Sequence, residues 1–253
     1  MRVLAVARNT FREAVRDKVL YVLLLFAAAA IFGSKALGWI SIGQDIKIVK
    51  DLSLAAVSVF GVLIAIFVGT NLVYKEIDKR TIYTILCRPM HRWEFILGKY
   101  VGLAALLALV TAVMAAVAAV YVVVLGGRLD VTFFQAVLLI YWQLLLITAL
   151  AVLLSAVTSP ILGAIIVFST YVVGHATSIF TELPPQFDGT FSKRVLEAVY
   201  YIIPNLSNFD IRAEAANGVP VAPGYVLWAI AYGAVYTAVL LTIASLAFQD
   251  KDV

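Results

Sequence analysis

Six stretches of this 253-residue chain are apolar over about twenty residues or more: 19–40, 52–74, 100–125, 135–157, 161–180 and 225–248. A helix of about 20 residues, rising 1.5 Å at each, crosses the hydrocarbon of a bilayer. Lipid offers no hydrogen-bond partner to a backbone, so each stretch has to pair its own amides and carbonyls as a helix. The predicted fold is therefore an all-α membrane protein with six transmembrane helices in one domain spanning 1–253. Charge agrees: Asp, Glu, Lys and Arg make up 13% of the residues, about half the share in soluble domains. Lys35, near the outer end of the first run, has a stem long enough to reach the headgroups. That first run follows a long basic lead carrying Glu13 and Asp17 and does not end on a small-residue cleavage site, so it is expected to be retained. The single cysteine, Cys87, excludes an internal disulfide.

Basic residues orient the spans. With the N-terminus inside, the cytoplasmic segments are 1–18, 75–99, 158–160 and 249–253, which hold 12 of the 19 lysines and arginines. Both termini are thus expected in the cytoplasm, with the chain multi-pass in the cell's inner (plasma) membrane. The net charge of +4 follows from this topology and gives no reason to expect a nucleic-acid partner.

Two cytoplasmic segments carry more pattern than a tether needs. In 1–18, Val3, Leu4, Ala7, Phe11 and Val15 form an apolar stripe beside Arg2, Arg8, Arg12 and Arg16. That describes an interfacial helix, its arginines near anionic lipid or a partner's acids. Segment 75–99 reads KEIDKRTIYTILCRPMHRWEFILGK. Asp78 is placed to cap a short helix through Cys87, with Ile77, Ile82, Ile85 and Leu86 opposite Lys79 and Arg80. Pro89 stops it, and a second helix from near His91 runs into the third span. This is a stiff basic element lying across the inner surface.

Outside, 181–224 is the largest loop. Phe191, Val195, Val199 and Ile202 share a face across 191–203, predicting an outer amphipathic helix that Pro204 ends. Within the membrane, Ala104, Ala108, Ala112 and Ala116 form a ladder of small residues suited to a packing seam.

The chemistry of catalysis is missing from the spans. Runs two to six hold no acidic or basic residue in their cores, where each would cost roughly 2.5–3.5 kcal/mol. His175 and Gln143 are the polar candidates, as pore or packing residues. Two histidines, one cysteine and three methionines lie scattered rather than clustered, which argues against a metal site. Gly98-Lys99 is followed by Tyr100 and lacks the upstream glycine of a phosphate-binding loop. The chain is thus expected to bind no cofactor and to hydrolyse no ATP, with force supplied by a separate subunit.

The order Tyr74-Lys75-Glu76, Arg80-Thr81, Leu86-x-Arg88-Pro89, Arg92 and Gly98-Lys99 resembles the inner loop of ABC-2-type transporter permeases. Phe11-Arg12-Glu13, Ile203-Pro204-Asn205-Leu206 before Phe209-Asp210, and the tail from Phe248 to Asp252 extend the resemblance over the whole chain, most like compact six-span, NosY-like members. Cys87 and the basic Met90-His91-Arg92 run depart from the usual pattern. The resemblance implies a permease paired with a second copy or homologue and with two ABC ATPase subunits, which carry the ATP and magnesium. It implies an exporter-like assembly in which Glu76, Lys79, Arg80, Thr81, Ile82, Leu86, Arg88 and Pro89 dock on the ATPase. Arg8, Phe11, Arg12 and Arg16 on the interfacial helix then form a second contact. The alternatives are a membrane anchor that passes ATPase motion to an outer partner without moving a substrate, and an autonomous channel or carrier.

Overall fold

The computed structural model describes residues 2–38, 44–78, 92–176 and 203–249. Among the described residues the regular elements are all helical: α1 (Arg2–Val15), α2 (Lys18–Gly38), α3 (Asp45–Asp78), α4 (Arg92–Val124), α5 (Val131–Val157), α6 (Pro160–His175), a 3-10 turn (Leu206–Phe209), α7 (Arg212–Asn217) and α8 (Pro223–Gln249). Five helices are long and apolar enough to cross a membrane: α2, α3, α4, α5 and α8. The remaining run, 161–180, appears as the shorter apolar helix α6, described over 16 residues. The outer helix predicted over 191–203 lies outside the described residues.

The helices exceed the apolar runs at the expected ends. α3 stays helical through Asp78, past the last apolar residue of its run at Tyr74, and α4 begins eight residues before the run at Tyr100. Backbone bonding does not stop where side-chain hydropathy does; a helix ends where a cap, a proline or lost packing ends it. Asp17 provides one such start, its Oδ1 accepting the Val19 N–H at 2.9 Å as α1 turns into α2.

The centre of the bundle is α3 against α5, the two most enclosed spans. A Cβ on Gly61 would lie 2.7 Å from Leu144 Cδ1, and one on Gly69 would lie 3.2 Å from the Ala151 Cβ. Both chains thus advance in the same direction, and the glycines let their backbones close up. Hydroxyls along this core bond to their own helices: Thr70 donates to the Ile66 carbonyl, Thr148 to Leu144, Ser155 to Val152 and Thr158 to Leu154. Each of these four hydroxyls is thereby satisfied within its own helix.

Residues 203–222 fold back as a cap on one end of the bundle. It buries its own Leu206, Phe209, Ile211, Ala215 and Ala216. Its polar atoms are tied to the helices: Ser207 Oγ donates to the His175 carbonyl at 3.1 Å, the Asn205 N–H to Tyr232 Oη at 2.9 Å and Thr132 Oγ1 to the Val219 carbonyl at 3.1 Å. Gly218 closes α7 in the left-handed conformation at φ 67°. Beside it Lys50 Nζ donates to Asp130 Oδ2 at 3.0 Å, joining α3 to the start of α5.

Candidate functional site

Most of the predicted docking set, Lys79, Arg80, Thr81, Ile82, Leu86, Arg88 and Pro89, lies outside the described residues. Glu76 falls within helical α3, and its side chain is outside what is described. The two flanks are in view: a helix leading in to Asp78 and a helix leading out from Arg92.

Against the outgoing flank packs α1, more closely than the sequence pattern implied. A Cβ on Gly98 would sit 2.6 Å from the Val6 Cβ and 3.1 Å from the Val3 carbonyl. A Cβ on Gly102 would sit 2.6 Å from the Ala7 carbonyl and 2.7 Å from the Thr10 Cβ. Four residues along α1 match four along α4, so the two run in the same direction. Gly98-x-x-x-Gly102 is a close-approach motif, in which bare α-carbons open a groove for a second helix.

This contact sets the rotation of α1. The buried face is Ala7, Thr10 and Ala14, with Val3, Val6, Phe11 and Val15 half-buried. Leu4, part of the predicted stripe, is 72% exposed. Backbones this near select small side chains for the contact, and the bulky residue turns outward. Arg8, Arg12 and Arg16 are exposed beside it. The predicted alanine seam is not used for this purpose: Ala112 and Ala116 face outward, and the glycines below them make the close contact.

Lys99, between the two glycines, is buried at 1% exposure. Its ammonium lies 5.6 Å from the centre of the Phe95 ring, within cation–π range. Phe95 stacks on Phe248 at 5.9 Å, tying the first turns of α4 to the last turn of α8. The outgoing flank of the predicted loop is thus a packed cluster of α1, α4 and α8 rather than a free helix end.

The two intramembrane candidates separate. Gln143 is buried in mid-α5, and its carboxamide nitrogen has no hydrogen-bond partner among the described residues. His175 stands at the end of α6 beneath the cap. Its Nδ1 is 3.1 Å from the Tyr171 carbonyl and its ring 4.6 Å from the Tyr171 ring. No hydrogen bond joins Gln143 to His175 among the described residues.

In the cap, Arg212 donates to Asp210 through Nε at 2.7 Å and Nη2 at 2.6 Å. Burial pushes the Asp210 carboxyl up, but the Arg212 hydrogen bonds and charge outweigh it and hold the group below its ordinary value. Arg212 is correspondingly held above its own, first by the bond to Asp210 and against its own burial, with Asp51 contributing from α3. Sequence reading found Phe209-Asp210 only as part of a family pattern; Arg212 two residues on was the available signal for a local fork–fork pair. Among the described residues no cluster of three His, Cys, Asp or Glu is arranged to hold a metal.

Residues 4–253 match the family model described as ABC-2 family transporter protein. No curated protein gives a significant match to the chain.

Proposed function

We propose, from the premise that this chain belongs to the ABC-2 family of transporter proteins, that it is the permease subunit of an ATP-driven exporter. Family membership makes it a multi-pass membrane protein, the membrane component of an ABC transporter whose partner is an ABC ATPase. The finer reading is that residues 79–91 dock on that ATPase, which carries the ATP and magnesium. Two permease copies, or this chain and a homologue, pair with two ATPase subunits, with both termini in the cytoplasm and six spans.

The observation that carries this reading is the build of the loop's flanks. α3 continues as helix to Asp78, α4 is helix from Arg92, and α1 is locked against α4 at Gly98 and Gly102. A push on the intervening segment would be delivered into two membrane spans without slack. The spans supply no charged machinery of their own, which is consistent with force from outside the chain.

Co-purification with the ATPase tests it. Replacing Arg80 and Arg88 with glutamate should abolish complex formation and ATP-linked transport; if both survive, the loop is not the docking element. The well-packed outer cap, tied to α3, α5, α6 and α8, favours a second reading in which ATPase motion is passed to an extracytoplasmic partner without a moving substrate. ATPase activity stimulated by a transported compound would rule that reading out.

A further inference from the structure

The lock between α1 and α4 uses one face of α1 and leaves another open. On a helical wheel at 100° per residue, the α4-facing side holds Val3, Ala7, Thr10 and Ala14. About a quarter-turn away stand Leu4, Phe11 and Val15, with Arg8 and Arg12 following directly on the same side. Asn9 and Glu13 occupy the far side. Leu4 is 72% exposed, Arg8, Arg12 and Arg16 are exposed, and none of the three arginines is ion-paired among the described residues. Two cations, Arg8 and Arg12, and a large apolar side chain therefore share an open surface, with the acid of this helix turned away from it.

The depth of this surface is set by its attachment. α1 meets α4 at Gly98 and Gly102, which straddle Tyr100 at the start of the apolar run, and Trp93, a few residues earlier, is exposed. α1 then leads through a two-residue turn into α2, whose exposed apolar residues begin with Val19, Tyr21, Val22, Leu25 and Phe26. Tryptophan and tyrosine at the ends of apolar helices mark the headgroup level. An apolar side chain beside arginines at that level suits a bilayer boundary, where Leu4 sinks towards acyl chains and each guanidinium reaches a phosphate.

We propose that the Leu4–Arg8–Arg12 face of α1 binds anionic phospholipid headgroups of the inner leaflet. The proposal rests on the reading of this chain as a membrane permease with its N-terminus inside, but not on the docking of the ATPase at 79–91. It assigns Arg8 and Arg12 to lipid, where the family resemblance had placed them on the ATPase. Charge complementarity supports it, as does the continuity of this face with the lipid-facing side of α2.

The test uses the full chain purified in detergent, titrated with dioctanoyl phosphatidylglycerol or dioctanoyl phosphatidylcholine while binding is read from the rise in unfolding temperature. The anionic lipid should bind more tightly. The double variant Arg8→Gln, Arg12→Gln should weaken its affinity about 30-fold, from about 1 kcal/mol per arginine near an anionic surface. Its lipid-free unfolding temperature and its affinity for phosphatidylcholine should not move. Removing two exposed cations at the opposite end, Lys35→Gln with Arg128→Gln, should leave phosphatidylglycerol affinity intact. The proposal is overturned if the two lipids bind alike, if either pair of substitutions has the same effect, or if the α1 variant keeps its lipid affinity. Loss of ATPase co-purification by the α1 variant with lipid binding retained would also overturn it and assign the face to the ATPase. A docking failure confined to Arg80 and Arg88 leaves these lipid results independent.

Discussion

Adding a single methyl group at Gly102 tests whether α1 is held by backbone proximity. In Gly102→Ala the new Cβ would meet the Ala7 carbonyl at 2.6 Å and the Thr10 Cβ at 2.7 Å, where ordinary contact begins at 3.4 Å. The nearest atom is main chain, so no rotamer change relieves the clash and α1 has to move as a body. Overpacking of this kind costs about 1–3 kcal/mol, and a radial gap of roughly 0.5–1 Å forfeits about a quarter to a half of each contact's attraction along the seam. Alanine returns up to about 1 kcal/mol through helix propensity, leaving a net loss of up to about 2 kcal/mol. At this chain length that is a fall of roughly 2–4 °C per kcal/mol in the unfolding midpoint. Gly33 in α2 is the control, because a Cβ there has nothing within 4 Å; Gly33→Ala should raise the midpoint. Tryptophan fluorescence on heating reads the midpoint, and amide exchange reads α1 itself, which should exchange faster only in the Gly102 variant. Substituting valine should deepen the loss at 102. Equal signs at positions 33 and 102, or unchanged exchange in α1, would refute the lock.

Gly174→Ala should release the cap formed by 203–222, since the added Cβ would stand 2.8 Å from Leu206 Cγ and 2.9 Å from the Pro204 carbonyl; amides of 203–217 should exchange faster while α1 is unaffected. The Asp210–Arg212 pair predicts a pH dependence. A carboxyl held below its ordinary value stabilises the fold above its unfolded pKa of about 3.9, and that contribution is lost as pH falls through the lower folded value. Asp210→Asn should therefore lower the unfolding midpoint at pH 7, and its difference from the unsubstituted chain should shrink below pH 4.

Five of the six expected spans were legible because hydropathy and the demand for internal hydrogen bonding leave lipid-facing sequence few options. The rotation of α1 was not. A stripe containing Leu4 maximises apolarity, whereas the fold minimises the distance between two backbones and so prefers Ala7, Thr10 and Ala14. The signal lay at Gly98-x-x-x-Gly102, obscured by the alanine background of the same helix and by the charge of Lys99. The cap was hidden for a related reason. Its buried residues, Leu206, Phe209, Ile211 and Ala215, follow neither helical nor strand spacing, and Asn205, Ser207, Asp210 and Arg212 between them read as a solvated loop. Those polar groups are satisfied by contacts far along the chain or by irregular local turns, which periodicity does not register.

The α1–α4 contact also constrains how relatives of this chain can diverge. Backbones this close keep the facing positions of α1 small and penalise any substituent at Gly98 or Gly102. Across an alignment, Ala7, Thr10 and Ala14 should then stay small alongside the two glycines, while exposed positions such as Ala5 and Asn9 drift. A lineage that lost either glycine would have to reposition its whole N-terminal helix.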